Sequence, residues 1–296
     1  MNISFNLNMV SPTNCMYIID CSVPSSDMNS AHRLEDDVKI ALAKISDDDT
    51  HYSNIASSIR TIKVGSYTDF MNVKDEIKKL KEVHEVNPLV LIYGHGHQTN
   101  GLLLPSGEFV NWTGLAGLLN DITILSNGEL TVVAAFCYSY CLVELYKNKF
   151  NSRLPFSFYY GFVREVSSGD MEECTTRLIT SFILDGAEYL NKPSPLLKCY
   201  SEYDHIKPIV SIALFLAKKP DELHKANPNL SGYISKGKLK YQLIPMLDMP
   251  AGMTRELFDK AIGSFLLTEE LICSLMHDTD RRKLLLEDLR RSFDKL

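Results

Sequence analysis

Two short apolar runs constrain this chain more than anything else in it. Leu89-Val-Leu-Ile-Tyr93 and Leu130-Thr-Val-Val-Ala-Ala-Phe136 are unbroken and rich in β-branched and aromatic residues, the pattern of strands buried on both faces of a parallel sheet. Each run stops at a reactive side chain. The first leads into Gly94-His95-Gly96-His97, the second into Cys137-Tyr138-Ser139-Tyr140-Cys141. In an open α/β sheet the carboxyl ends of neighbouring strands face one crevice, where ligands and catalytic groups collect. A histidine and a cysteine are expected to meet there.

The surrounding segments support such a sheet. Residues 15–20 read as a first strand, and a helix carries Leu34, Val38, Ala41, Leu42 and Ile45 inward, with Asp27 or Ser30 as its N-cap. Residues 58–64 read as an edge strand because their alternate positions are polar. Phe70, Val73, Ile77, Leu80 and Val83 line the next helix. Strand, helix, strand, helix and the His-bearing strand make a βαβαβ series, so the fold class is α/β, with a mostly parallel sheet flanked by helices.

Residues 101–110 have the punctuation of a hairpin turning at Ser106-Gly107, and a short helix over 112–119 returns the chain to the Cys-bearing strand. A helical segment at 142–146 and a strand at 156–163 follow. Residues 167–170 then open a helix in which Asp170 and Glu173 are spaced as a capping box, with Cys174, Leu178 and Phe182 on the buried stripe. Asn191-Lys-Pro-Ser-Pro195 divides a first domain, 1–190, from a mainly helical C-terminal extension, 191–296. Within the extension, 209–217 is a buried helix or strand, 238–244 an added strand, and 254–296 almost continuous helix.

Composition removes several function classes. A formal net charge of -6 argues against a dedicated nucleic-acid binder. No run reaches the ~18 apolar residues that read as a membrane span. The first eight residues lack a basic stretch followed by an apolar one, so no secretory signal is expected. Seven scattered cysteines suit reduced thiols in a cytoplasmic protein. Asn111-Trp-Thr113, a glycosylation acceptor by pattern, has no consequence there.

A thiol becomes a nucleophile when it is ionised, and a partner imidazole promotes that or protonates the leaving group. Cys137 stands at a strand-to-helix junction, where the N–H groups opening the helix favour a thiolate and stabilise a developing oxyanion. Glycines flanking His95 permit close approach of a substrate backbone.

These residues carry a family resemblance. Leu91-Ile-Tyr-Gly-His95-Gly96 and Val132-Val-Ala-Ala-Phe-Cys137, with the hairpin after His95, resemble the caspase-haemoglobinase group of cysteine peptidases, over roughly residues 15–190. The resemblance implies that His95 is the general acid and Cys137 the nucleophile, with the backbone N–H groups of Gly96 and Cys137 forming the oxyanion hole. It implies a protein or peptide substrate and no cofactor. Bacterial members of the group often serve as gated effectors in stress or antiviral defence. Phe136, Tyr138 and Ser139 stand where caspases usually have Ala, Arg and Gly, and Ala134 and Ala135 stand where metacaspases place an acidic residue. Substrate preference therefore does not carry over.

Only residues 141–154 separate the Cys-bearing strand from the next, too few for both a helix and a processing linker. Control by a small-molecule or protein activator, or by the C-terminal region, is expected instead of cleavage. Arg164, Glu165 and Asp170 follow the next strand, where related folds build the substrate pocket, although Asp170 also reads as a helix cap.

Other readings compete. His97 is an alternative to His95. His95, His97, Cys137 and Cys141 supply the ligand types zinc takes, but neither His-x-His nor Cys-x3-Cys is diagnostic, and no metal is expected. Gly232-Tyr-Ile-Ser-Lys-Gly-Lys238 mimics a phosphate loop with Leu239 where Ser or Thr should bind magnesium. The basic run over 281–291 reads as the solvated face of a helix burying Leu285, Leu289 and Phe293. From a different class, a caspase-fold module that binds a ligand or partner without cleaving it would keep the same crevice.

Overall fold

The computed structural model of the protein describes residues 13–23, 30–43, 59–82, 85–147, 149, 152–184, 194–218 and 265–293. The expected strands form around a core of Ile, Val and Leu. They are β1 (Cys15–Asp20), β2 (Ile59–Lys63), β3 (Pro88–Tyr93), β7 (Thr131–Ala135) and β8 (Phe158–Phe162), and β9 (Leu197–Ser201) joins them. Together they make a six-stranded sheet in the order β2-β1-β3-β7-β8-β9. The β1–β2, β1–β3, β3–β7 and β7–β8 pairs are all parallel, so the sheet is mostly parallel, as the sequence pattern predicts. Every residue of β3, β7 and β8 is buried, whereas β2 is half-buried at one edge, matching its mixed polarity.

Helices α1 (Ser30–Ala43), α2 (Tyr67–Lys81), α3 (Trp112–Leu125), α4 (Cys141–Glu144) and α5 (Ser168–Leu184) complete this part of the chain. α1 packs on α5, and α2 on α3. Leu34 and Val38 of α1, and Phe70, Val73 and Ile77 of α2, are buried as their spacing requires. α2 starts from Ser66, whose hydroxyl and the Asp69 carboxylate form a reciprocal capping box. α3 starts from Asn111, which accepts the Gly114 N–H at 2.8 Å; it runs well past Leu119, its sequence-predicted end, because Leu118, Leu119 and Ile122 continue the buried face.

A second, three-stranded antiparallel sheet was only half visible in the sequence. Its hairpin, β5 (Gly101–Leu103) and β6 (Phe109–Val110), turns through Gly107 at φ +85, as expected. Its third strand is β4 (His95–His97), which pairs with β5. The His-Gly-His segment is thus a strand of its own and not the frayed end of β3.

The described chain divides into two compact units. The sheet-bearing unit takes Ser11–Glu144 and Pro155–Tyr200, so β9 lies with it, past the boundary read at 191–195. The other unit takes Leu145–Leu154 and the chain from Ser201 onward. It contains α6 (Glu202–Lys218), α7 (Phe265–Leu275) and α8 (Asp280–Phe293), with α7 packed on both of its neighbours. The segment at 209–217 is therefore helical. The almost continuous helix expected over 254–296 is, within the described residues, the two helices α7 and α8, separated at residues 276–279, and its part at 254–264 lies outside the described residues. The N-cap candidate Asp27, the phosphate-loop mimic at 232–238 and the added strand at 238–244 lie outside the described residues. Among the described residues, no helix is long and apolar enough to cross a membrane.

Candidate active site

The parallel register of β3 and β7 decides what meets at the carboxyl edge of the sheet. Tyr93 is paired with Ala135, and the Gly94 N–H reaches the Ala135 carbonyl at 3.4 Å. His95 and Cys137 each stand two residues past those partners. Gly96 makes the approach close. A Cβ placed on it would fall 1.9 Å from the Cys137 carbonyl oxygen and 2.7 Å from the Phe136 ring. Only a residue without a side chain lets the two backbones pass at that distance.

Cys137 is half-buried, in a turn built for a single backbone path. Tyr138 takes φ +60, a left-handed conformation that costs an L-residue roughly 1 kcal/mol. The N–H groups of Tyr138, Ser139 and Tyr140 are directed to the carbonyls of Arg164, Phe136 and Phe162, at 3.3, 3.3 and 3.0 Å. The Cys137 N–H is not among the donors used by that turn. Ser139 is fully buried beneath it, donating to the Ala134 carbonyl and accepting the Phe162 N–H, both at 2.8 Å.

The sequence predicts a helix opening directly after Cys137. The helix after Cys137 is the single turn α4, which begins only at Cys141, and the intervening N–H groups are committed to carbonyls. A helix N-terminus therefore does not face the thiol. Instead, the sulfur is held by a residue that sequence reasoning missed. The Val166 N–H donates to Cys137 Sγ at 3.4 Å, and the Cys137 thiol donates to the Val166 carbonyl at 3.5 Å.

His97 Nδ1 accepts the N–H groups of Thr99 at 3.3 Å and Asn100 at 3.4 Å, and its ring sits edge-on to Phe109. Its ring is committed to the turn that follows it. Trp112, also missed, stacks on Phe136 at 6.2 Å and donates its indole N–H to the Gln98 carbonyl, tying that turn to the residue before Cys137. As the one Trp in the chain, at the first position of a helix, it offered a signal.

Arg164 and Glu165 are exposed on the segment between β8 and α5, and the Arg164 carbonyl is the acceptor for Tyr138. Asp170 accepts the Ser167 hydroxyl at 2.7 Å, while its own N–H donates to Ser167 Oγ at 3.2 Å. The capping pair is therefore Ser167 with Asp170. Glu173 instead pairs with Arg177 at 2.6 Å, as residues one helical turn apart can.

Burial pushes the Cys15 thiol up to about 12 and the Cys21 thiol higher still. The Cys141 thiol is raised by burial and then by the Glu144 carboxylate. None of these three is poised as a nucleophile. Among the described residues, no three His, Cys, Asp or Glu side chains converge as a metal site would require. Compared with known proteins, the chain matches no family model and no curated relative.

Proposed function

We propose that the protein is a cysteine endopeptidase of the caspase-haemoglobinase kind, acting on protein or peptide substrates through His95 and Cys137. The observation that carries this reading is the seating of Gly96 on the Cys137 backbone, 1.9 Å from Cys137 O to a notional Cβ. That approach lays the backbone of the His95-bearing strand against the Cys137 peptide, which supports a site shared by the two segments. The Cys137 thiolate attacks the scissile carbonyl carbon, and charge on the carbonyl oxygen is met by the N–H groups of Gly96 and Cys137. The C–N bond breaks as His95 delivers a proton to the leaving amine. Water then hydrolyses the thioester and restores the thiol. No cofactor enters the reaction. Activity is gated by a ligand or partner protein, in keeping with a role as a bacterial defence effector.

The test is a proteome-wide comparison of cleavage sites in cells expressing wild type, Cys137→Ala or His95→Ala. New termini present with wild type and absent with both variants are expected. Identical profiles under every activating condition would overturn the enzymatic reading. A second reading, a caspase-fold module that binds without cleaving, is favoured by one observation. The Cys137 thiol donates to the Val166 carbonyl at 3.5 Å, a bond that only the neutral thiol makes.

A further inference from the structure

We propose that the main-chain N–H of Val166 is the positioning group for Cys137, holding its sulfur and favouring the thiolate. The proposal rests on the reading of Cys137 as the nucleophile. The neutral thiol satisfies both main-chain groups of Val166, accepting from its N–H at 3.4 Å and donating to its carbonyl at 3.5 Å. On ionisation the S–H proton leaves for solvent or a base, and the S–H···O contact is lost. The sulfur keeps its electron pair facing the N–H, and that bond strengthens because the acceptor is now charged.

The other main-chain donors of the turn are already used. The N–H groups of Tyr138, Ser139 and Tyr140 are bonded to carbonyls, and α4 is too short and too far along the chain to present a helix terminus. Val166 fills that role because its segment is pinned on both sides. The Val163 N–H donates to the Leu196 carbonyl at 3.3 Å, the Arg164 carbonyl accepts from Tyr138, and Ser167 is bound to Asp170 at the start of α5. Since the donor is the main chain, an alanine at 166 preserves it and a proline removes it.

The full-length chain is treated with iodoacetamide across a pH range, and alkylation of the Cys137 peptide is followed by mass spectrometry. Val166→Ala is expected to keep the wild-type midpoint. Val166→Pro is expected to move it upward by about one pH unit, the scale on which a hydrogen bond to the charged form acts. In wild type labelled with 15N-valine, the Val166 amide resonance is expected to titrate with the alkylation midpoint, and to stop titrating in Cys137→Ala. This measurement decides the matter if Val166→Pro does not fold. A wild-type midpoint in a folded Val166→Pro, or a Val166 amide that ignores the thiol's ionisation, overturns the proposal. Neither readout involves peptide cleavage, so failure of the peptidase reading is distinguished from failure of this one.

Discussion

A methyl group at position 96 would collide with backbone, and backbone at a strand end has little room to yield. Gly96→Ala is therefore expected to push β4 away from Cys137, because its Cβ would lie 1.9 Å from Cys137 O and 2.9 Å from Cys137 C. The relaxation should cost about 1–3 kcal/mol, the usual range for overpacking, and should abolish cleavage while the sheet survives. Denaturant unfolding beside the cleavage profile reads both effects; a variant as stable and as active as wild type would show that the close approach is dispensable. At this scale the sequence was informative wherever chemistry requires a residue type. The glycines around His95 were read as room for a substrate backbone, whereas at Gly96 the backbone that approaches is that of Cys137; the cysteine was readable as the end of a buried strand. The position of Val166 was not readable, because its contribution comes from main-chain atoms that every residue but proline carries. Asp170 was ambiguous for a related reason: a carboxylate near a helix start serves a cap or a pocket equally well, and here it bonds Ser167 at 2.7 Å.

Elements buried on both faces announce themselves, and those that are not do not. β3, β7 and β8 are continuous apolar runs, all buried, and were placed to within a residue or two by composition alone. β4, with exposed His95 and His97 around Gly96, has no such pattern and exists because β5 offers it a partner. β9 escaped notice because Lys198 is exposed and Cys199 half-buried within a five-residue strand. The turn between β7 and α4 was readable as a junction, but its rigidity was not. Buried Ser139 ties the Ala134 carbonyl to the Phe162 N–H, and the Tyr159 hydroxyl donates to the Ser139 carbonyl at 2.9 Å. Ser139→Ala leaves the buried Phe162 N–H without that acceptor, a loss of about 1–3 kcal/mol. Because the same hydroxyl braces the turn bearing Cys137, pH-dependent alkylation of Cys137 should broaden or shift in this variant. A stability change under 0.5 kcal/mol, in the range of ordinary surface substitutions, would count against the brace.

On the scale of the whole molecule, the helical unit has a polar interior that the hydrophobic pattern of its helices could not foretell. Arg281, expected on a solvated face, is 2 % exposed and paired at 3.2 Å with Glu202, itself 1 % exposed. Leu285 and Leu289 are buried on the same helix, as predicted, so the basic run is divided between the interior and the surface. The Glu202 carboxylate also accepts the His277 N–H at 3.1 Å. Around this pair the unit grips residues 152–154, the end of the connector that leads from the Cys137 turn toward β8. The Ser152 carbonyl meets His205 Nε2 at 3.3 Å, and the Leu154 carbonyl meets His277 Nε2 at 3.2 Å. The Arg153 guanidinium donates to the carbonyls of Cys273 and Ser274, each at 2.9 Å. Burial holds both imidazoles below the ordinary histidine value of 6.5, and the cations of Arg153, Arg281 and Arg282 depress His277 further. In the unfolded chain the two rings titrate normally. As pH falls from about 6.5 toward the lower native values, the unfolded state binds protons that the native state refuses, so stability falls in that window and is level above it. Each ring contributes a slope of at most about 1.4 kcal/mol per pH unit. Hydrogen exchange between pH 7.5 and 5.5 should therefore show residues 152–154, 202–210 and 268–292 losing protection in wild type, after correction for intrinsic exchange rates. In His205→Asn/His277→Gln, which keeps a neutral donor at both positions, that loss should be reduced, and an equal loss in the two proteins would mean that the histidines do not set it.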